Sequence, residues 1–252
     1  MNLFNLEGRK AIVTGASRGL GKAMARGLAQ AGAQVAVLAS SQSIYDAEKE
    51  LREEGLSVKA YQVNLMDRNS VEETFRQILD FFGGNLDILV NNAGIQRRNP
   101  CEDFTMEDWD DVIQMNLTSV FQLCQLAGRV MLKQGKGKII NLASMLSYFG
   151  GFTVPAYAAS KGGVAQLTKA LSNEWSSKGI NVNAIAPGYM NTEMNEKLIQ
   201  DPGRNSEISA RIPMHRWGEP EDMIGTVIFL ASDASDYVTG ITIPVDGGYL
   251  GR

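Results

Sequence analysis

Several residue types and patterns are scarce in this sequence, and each scarcity excludes a class of protein. One histidine, His215, and two cysteines, Cys101 and Cys124, leave no metal-ligand cluster and at most one disulfide. The longest apolar stretches, such as 224–231, are too short to span a bilayer. The net charge of −4, without a cluster of lysine or arginine, argues against a nucleic-acid-binding surface. Residues 1–9 lack the pattern of a signal peptide, so we expect reduced cysteines and a cytoplasmic location.

The order of apolar and amphipathic segments predicts the fold. The 252 residues are 44% hydrophobic and 21% charged, which is ordinary for a globular protein. Short apolar runs alternate with longer amphipathic segments, and this alternation predicts an α/β fold, a doubly wound parallel sheet of about seven strands with helices on both faces. Strands are predicted at 10–14, 34–39, 57–63, 87–90, 138–142, 180–185 and 241–244. Helices are predicted near 20–31, 44–54, 69–82, 105–134, 156–178 and 220–231.

No linker or repeat divides the chain, so residues 1–252 are expected to form one domain. The segment of about 188–218 is the one long connection between predicted core elements. It is polar, and it contains a short helical pattern at 194–200. Connections of this length in a compact domain are usually functional, so the segment is interpreted as a substrate flap.

One short motif carries groups suited to proton transfer. On a helix, Tyr157 and Lys161 share a face, with their Cβ atoms about 5–6 Å apart. A charged amine at that distance favours the phenolate, so the motif predicts that the pKa of Tyr157 is lowered from its ordinary value of about 10. The phenol would then exchange a proton with a substrate hydroxyl or carbonyl near neutral pH. Ser144 supplies a hydroxyl that holds the same substrate oxygen.

A glycine-rich turn follows the first predicted strand and opens a helix. Gly15, Gly19 and Gly21 permit a tight turn and a close approach to a pyrophosphate, and the helix N-terminus supplies free N–H groups. The spacing is G-x-x-x-G-x-G, so the pattern indicates a dinucleotide site only through its strand–turn–helix context. A second patch, NNAG at 91–94, follows the fourth strand, where doubly wound sheets bind ligands.

Together these motifs resemble the short-chain dehydrogenase/reductase family over essentially the whole chain. The resemblance is carried by TGASRGLG (14–21), NNAG (91–94), Asn116, Ser144, YAASK (157–161) and PG (187–188). It implies a Rossmann-type fold, a nicotinamide dinucleotide, and hydride transfer to or from a carbinol or ketone. Tyr157 is then implied as the general acid/base, Lys161 as the group that lowers its pKa and holds the nicotinamide ribose, and Ser144 as the group that orients the substrate. Asn116 is implied to hold a proton-relaying water, with a cap or kink within its helix as the alternative.

The resemblance implies a cofactor site at the carboxyl ends of the strands. Its residues are Gly15, Ser17, Arg18, Gly19, Leu20, Gly21, Ala39, Ser40, Asn64, Leu65, Asn91, Ala93, Gly94, Tyr157, Lys161, Pro187, Gly188 and Thr192. The second strand ends without the carboxylate that bonds the ribose 2′-OH of NAD, and Arg18 is able to meet a 2′-phosphate. The sequence therefore favours NADP(H) over NAD(H) without excluding NAD(H). Asn64 stands where the family usually has an aspartate for the adenine, and its carbonyl is still able to accept from an adenine amino group.

Four runs of the carboxy-terminal half, at 138–164, 180–195, 211–225 and 235–252, resemble the sugar-acid dehydrogenases of this family. The closest resemblance is to 2-deoxy-D-gluconate 3-dehydrogenases and 2-dehydro-3-deoxy-D-gluconate 5-dehydrogenases. It implies an enzyme that interconverts a secondary alcohol and a ketone on a sugar acid. A pocket for such a substrate needs a cation and hydrogen-bond donors. The loops offer the cations Arg97, Arg98, Arg211, His215 and Arg216. The predicted substrate residues are Gln96, Arg97, Ser144, Met145, Tyr189 and Arg216.

Other functions stay open at this point. Gluconate 5-dehydrogenases are similar too, and 3-oxoacyl-thioester reduction would suit Arg18 with Ser40 and Ser41, although the acidic chain shows no docking patch for an acidic carrier protein. A cofactor-sensing protein without chemistry would not need the Ser, Tyr and Lys set. The family also implies a homotetramer, with the helix at 156–178 in an interface. Gly162 and Gly163 favour close helix approach there, because each interior glycine costs about 1 kcal/mol relative to alanine.

Overall fold

Seven parallel strands form one sheet, in the order β3-β2-β1-β4-β5-β6-β7, in the computed structural model, which describes residues 3–251. The strands are β1 (Lys10–Thr14), β2 (Gln34–Ala39), β3 (Val58–Gln62), β4 (Ile88–Asn91), β5 (Gly137–Leu142), β6 (Ile180–Pro187) and β7 (Thr242–Val245). The strand order reverses between β1 and β4, so the connections after these two strands diverge to opposite faces. Such a reversal leaves a cleft at the carboxyl edge of a parallel sheet.

Helices cover both faces of the sheet. They are α1 (Gly19–Gln30), α2 (Ser43–Glu53), α3 (Arg68–Phe81), α4 (Met106–Ile113), α5 (Ser119–Gln134), α6 (Pro155–Trp175), α7 (Glu196–Gln200), α8 (Pro202–Arg211) and α9 (Ile224–Ala231). Successive residues of a strand point to opposite faces, and β1 shows the result. Val13 packs with Leu28 of α1 in one core, whereas the adjacent Ile12 packs with Phe75 of α3 in the other. The doubly wound α/β fold expected from the sequence is confirmed.

Two segments differ from the sequence prediction. The single helix predicted near 105–134 is interrupted by a π-helical turn, Gln114–Thr118, between α4 and α5. The segment 188–218 contains α8, which was not predicted, after the shorter α7. A start signal for α8 is nevertheless present in the sequence: the Asp201 side chain accepts hydrogen bonds from the first-turn N–H groups at 2.9 and 3.1 Å, and Pro202 occupies the first helical position.

Between residues 3 and 251, no helix is long and apolar enough to cross a membrane. In the same part of the chain, no group of three or more His, Cys, Asp or Glu side chains is placed to hold a metal ion. Cys101 is exposed and Cys124 is buried, and both are free thiols.

Candidate active site

The glycine turn and the second strand-end motif lock together at the carboxyl edge of the sheet. The Thr14 hydroxyl accepts hydrogen bonds from the N–H groups of Asn92 and Ala93, each at 3.0 Å. The Asn92 amide in turn donates to the carbonyls of Thr14 (2.9 Å) and Gly15 (3.1 Å). A Cβ on Gly15 would lie 2.8 Å from the Cα of Ala93, and a Cβ on Gly21 would collide with the Gly15 carbonyl. The glycines are therefore required for contact between the two loops as well as for approach of a ligand.

The turn fits the pyrophosphate of a dinucleotide. Gly15 and Gly19 have φ angles of +64° and +54°, a conformation that side chains rarely adopt. Arg18 is the N-cap of α1 and makes no side-chain cap bond, and the first turn of α1 contains no acidic residue. The free N–H groups and positive dipole end of the helix thus suit an anion. Ser17 lies in the turn, and Leu20 packs against the core from the first turn of α1.

The adenosine end of the expected cofactor site is only partly preorganised. Ala39 is buried at the end of β2, Ser40 is exposed beside it, and no carboxylate stands at either position. Asn64 is exposed, and its side-chain oxygen already accepts the Met66 N–H at 3.1 Å. Leu65 is 4% exposed and belongs to the core. These residues leave room for an adenosine, but they offer no strong side-chain acceptor to its adenine amino group.

Ser144, Tyr157 and Lys161 converge beyond the end of β5. Ser144 caps a 3₁₀ turn, Met145–Ser147, and its side chain is hydrogen-bonded to the phenol of Tyr157. Tyr157 and Lys161 lie in the first two turns of α6. The Lys161 amine donates to the carbonyl of Leu142 at 2.6 Å and lies 5.7 Å from the centre of the Tyr157 ring. Three groups suited to proton transfer are thus brought to one point at the cleft.

Burial, Ser144 and Arg98 act on the acidity of Tyr157 in the folded chain. Burial raises the pKa of Tyr157 above its ordinary value, while the hydrogen bond from Ser144 and the positive charge of Arg98 act in the opposite direction. Burial also lowers the pKa of Lys161 to about 8. The prediction that Lys161 lowers the pKa of the phenol stays a prediction. The amine is directed to the Leu142 carbonyl, and the groups that favour the phenolate are Ser144 and Arg98.

Asn116 lies within the π-helical turn and holds the loop after β4. It is fully buried. Its amide donates to the Ile95 carbonyl at 2.9 Å and to the Ser160 hydroxyl at 3.2 Å, and its oxygen accepts the Ile95 N–H at 2.8 Å. A Cβ on Gly94 would lie 3.1 Å from that oxygen and 3.8 Å from the Lys161 amine. Asn116 thus joins the fourth strand end to α6, and π turns of this kind are frequent at functional sites.

Two polar residues of the site differ from the sequence reading. The Asn91 amide points into the core, where it donates to Asn141 at 2.9 Å and to the Cys124 sulfur at 3.3 Å, so Asn91 meets the cleft only with its backbone. Ser147 was missed. Its hydroxyl donates to the Lys161 carbonyl at 2.7 Å and accepts the Ser144 N–H at 3.3 Å, so it ties Ser144 to α6. The pattern S-x-x-S at 144–147, a capping box, was the signal for it.

Two of the predicted carboxylate ligands are engaged in ion pairs within the protein. Arg97 pairs with Asp108 at 3.1 Å and Asp111 at 3.7 Å. Arg216 makes two hydrogen bonds to Asp222, at 2.6 and 2.9 Å. Arg98 is exposed, has no ion-pair or hydrogen-bond partner within residues 3–251, and acts electrostatically on Tyr157. Arg98 is therefore the cation that the structure leaves available beside the proton-transfer groups.

The remaining predicted residues lie along the segment after β6. Pro187 ends β6, and the Gly188 N–H donates to the Val245 carbonyl at 2.9 Å. Thr192 approaches the glycine turn, since its methyl carbon is 3.7 Å from the place of a Cβ on Gly19. Gln96 is half-buried and Met145 is 4% exposed.

Tyr189 belongs to an aromatic cluster that was not predicted. Its ring packs edge-on against Trp217 at 5.5 Å and against Tyr249 at 5.4 Å. Tyr189 and Arg216 also line a cavity of about 170 Å³, whose lining residues include neither Ser144 nor Tyr157. The assignment of these two residues to the substrate pocket stays a prediction.

Known proteins resemble this chain over nearly its full length. A family model described as enoyl-(acyl carrier protein) reductase matches residues 15–250. The 2-dehydro-3-deoxy-D-gluconate 5-dehydrogenase of Bacillus subtilis (strain 168) is 46% identical over 249 residues, covering 99% of this chain and 97% of the relative. The enzyme of the same name from Pseudoalteromonas atlantica is 47% identical over 251 residues, covering 99% and 98%. The crystal structure of a gluconate 5-dehydrogenase from Burkholderia cenocepacia J2315, in complex with NADP and tartrate, has a TM-score of 0.95 at 39% identity and covers 100% of this chain and 98% of that one.

Proposed function

Since the chain belongs to the short-chain dehydrogenase/reductase family of oxidoreductases, we propose that it interconverts a secondary alcohol and a ketone on a sugar acid with a nicotinamide dinucleotide. The reaction is of the 2-dehydro-3-deoxy-D-gluconate 5-dehydrogenase or 2-deoxy-D-gluconate 3-dehydrogenase type. The observation that carries the proposal is the convergence of Ser144, Tyr157 and Lys161 beside the unpaired Arg98.

Tyr157 is the proposed general acid/base. When bound, the nicotinamide accepts or donates the hydride, and the protein must move the accompanying proton. The phenol oxygen of Tyr157 takes the proton from the substrate hydroxyl in oxidation and returns it to the carbonyl oxygen in reduction. Ser144, already bonded to the phenol, orients the same substrate oxygen. Lys161 is held in the site by its hydrogen bond to Leu142, and Asn116 by its hydrogen bonds to Ile95. The proposed water relay would start at the Lys161 amine.

Arg98 is the proposed partner of the substrate carboxylate. A guanidinium binds a carboxylate through two parallel N–H donors, which also fixes the orientation of the substrate. Arg97 and Arg216 are neutralised by Asp108 and Asp222, so their use would require breaking an existing ion pair. Gln96 and Met145 are proposed as further walls of the substrate pocket, and the segment of about 188–218 as its flap.

NADP(H) is the proposed cofactor, with NAD(H) as the second choice. The absence of a carboxylate at Ala39 and Ser40 removes the group that would repel a 2′-phosphate, and Arg18 offers a cation. A related gluconate 5-dehydrogenase was solved with NADP. Dissociation constants for both dinucleotides test this choice, and tighter binding of NAD would refute it.

The substrate class is tested by absorbance at 340 nm with purified protein. Oxidised dinucleotide is mixed with 2-dehydro-3-deoxy-D-gluconate, 2-deoxy-D-gluconate or D-gluconate, and reduced dinucleotide with an acetoacetyl thioester. We expect turnover of the deoxy-sugar acids. Turnover of D-gluconate alone would favour gluconate 5-dehydrogenase activity, which the structural likeness supports as a second candidate. Turnover of the thioester alone would refute the proposal.

We also propose that the chain is a cytoplasmic homotetramer that forms one domain. The need for glycine at position 163 comes from a contact within the chain, because a Cβ there would lie 2.9 Å from the Leu117 side chain. Gly162 faces open space, with nothing within 4 Å of such a Cβ, as expected for a surface that another copy approaches. Light scattering should give four times the chain mass, and a monomer would refute the assembly. Gly162→Ala should shift the mass to smaller species.

A further inference from the structure

An ion pair joins the glycine turn to the segment that follows β6. Nη1 of Arg18 lies 2.6 Å from Oε2 of Glu193, and the two side chains are 73% and 63% exposed. Glu193 begins a 3₁₀ turn that leads into α7, directly after Thr192, which approaches Gly19. The pair therefore lies at the mouth of the cleft that fits the dinucleotide phosphates.

Arg18 is the basic side chain of this region that is placed for a ribose phosphate. The next two basic residues along α1 are engaged with carboxylates of α2 and its C-cap: Lys22 pairs with Glu50, and Arg26 pairs with Glu54. The Ala16 N–H donates to the Leu38 carbonyl at 3.1 Å, which ties the turn to the end of β2. The turn that carries Arg18 is thus held at the strand end where the adenosine ribose of a dinucleotide is expected, and Arg18 is already bound to a carboxylate there.

We propose that Glu193 is a cofactor-discriminating residue, because its carboxylate competes with the 2′-phosphate of NADP for Arg18. The inference rests on the proposed function, since it places the dinucleotide in this cleft. A guanidinium binds carboxylates and phosphates through the same fork of N–H donors. NADP must therefore displace or share Glu193, and two anions on one guanidinium repel each other. NAD carries an uncharged hydroxyl at the same position and leaves the Arg18–Glu193 pair intact.

The expected effect is modest, because both side chains are exposed. Exposed ion pairs are weak and are screened by salt. We expect Glu193→Gln to tighten binding of a 2′-phosphate by about two- to fivefold at low ionic strength. The effect should shrink as salt is added, which a change in the shape of the cleft would not do.

The test uses two nucleotide fragments that differ only at the 2′-position. Isothermal titration of the full chain measures the dissociation constants of 2′,5′-ADP and 5′-AMP, so the readout is independent of turnover. The proteins are wild type, Glu193→Gln, Arg18→Gln, the double variant, and Glu196→Gln as a matched control. Glu196 is an exposed carboxylate three residues further along the same segment, and its side chain accepts from Gln200 at 2.9 Å.

We expect Glu193→Gln to tighten 2′,5′-ADP and to leave 5′-AMP unchanged, whereas Glu196→Gln changes neither. Arg18→Gln should weaken 2′,5′-ADP and abolish the effect of Glu193→Gln in the double variant. If wild type binds both fragments and Glu193→Gln leaves 2′,5′-ADP unchanged or weaker, the inference is wrong while the proposed function stands. An effect that persists without Arg18 also overturns it. Binding of neither fragment would overturn the proposed function and the inference together.

Discussion

The amine of Lys161 and the carbonyl oxygen of Leu142 lie 2.6 Å apart, so a buried lysine is anchored to the end of the strand that leads to Ser144. The bond holds the amine 5.7 Å from the centre of the Tyr157 ring. Lys161 is 4% exposed, and no carboxylate neutralises it among the described residues. The site therefore contains a charged group whose burial opposes folding.

Replacing Lys161 by methionine should stabilise the fold and abolish turnover. Burial lowers the pKa of Lys161 to about 8, whereas the same lysine in the unfolded chain titrates at about 10.4. Between these values the unfolded state binds more protons, so the destabilising effect of the lysine is full below pH 8 and fades as the pH rises. At pH 7 the gain in free energy of unfolding is at most about 3 kcal/mol, reduced by the lost bond to Leu142.

Urea denaturation of wild type and Lys161→Met at neutral and alkaline pH measures this gain. The difference between the two proteins should shrink at alkaline pH. Lys169→Met, an exposed lysine on the same helix, should show no difference at either pH. A Lys161→Met protein less stable than wild type at pH 7 would contradict the argument.

Replacing Tyr157 by phenylalanine should remove turnover and keep cofactor binding. The change deletes the phenol oxygen that bonds Ser144 and leaves the ring over Lys161. General acid/base catalysis contributes about 10²- to 10⁴-fold, so kcat should fall by at least that factor. Rates at 340 nm and nucleotide titration measure the two properties, and Tyr45→Phe, on the exposed face of α2, is the control. Unchanged kcat would exclude Tyr157 as the acid/base.

Replacing Arg98 by glutamine should change both substrate affinity and the pH profile. The charge of Arg98 acts to lower the pKa of Tyr157, so its removal raises that pKa further. Oxidation needs the deprotonated phenol, and its kcat/KM profile should therefore move to higher pH. The KM for the sugar acid should rise as well, because the carboxylate loses its partner.

The Arg98 prediction has two controls. Arg98→Lys keeps the charge, so it should retain the pH profile while losing the bidentate contact. Arg76→Gln changes an exposed arginine of α3 and should alter neither quantity. An unshifted profile in Arg98→Gln would show that the electrostatic link to Tyr157 is absent.

Replacing Gly21 by alanine should weaken both the fold and nucleotide binding. An added Cβ would overlap the Gly15 carbonyl and the Asn92 amide, which join the two loops of the cleft. Overpacking of this kind costs about 1–3 kcal/mol. Thermal unfolding and titration with 5′-AMP measure the two effects. Gly225→Ala is the control, because a Cβ at Gly225 in α9 meets nothing within 4 Å. Equal stability of Gly21→Ala and wild type would contradict the packing argument.

The hydrophobic pattern of the sequence was sufficient to predict the positions of the strands, whose carboxyl ends carry the site. Each predicted strand lies within two residues of its observed ends, because strands buried on both faces are read as continuous apolar runs. The helix at 105–134 was predicted as one continuous element, and a kink at Asn116 was only an alternative to its role in the site. A π turn is stabilised there by bonds to Ile95 and Ser160, which periodicity does not report.

Side-chain partners at the site were not predictable in the same way. The sequence predicted that Ser144, Tyr157 and Lys161 act in one proton-transfer site, and the three residues lie close together in the structure. It did not indicate that Arg97 is bound to Asp108 or that Arg18 is bound to Glu193. Such pairs depend on loops whose paths are decided by packing, and no local pattern marks them.

The amino-acid sequence by itself determined the alternation of strands and helices, the glycines of the turn and the presence of a tyrosine and a lysine one helical turn apart. Tertiary structure decided the protonation chemistry. The pKa of Tyr157 depends on burial, on Ser144 and on Arg98, and these come from different elements. Hydrophobic periodicity depends only on residues close together in the sequence, whereas the burial and the neighbouring charges that set a pKa come from residues that folding brings together.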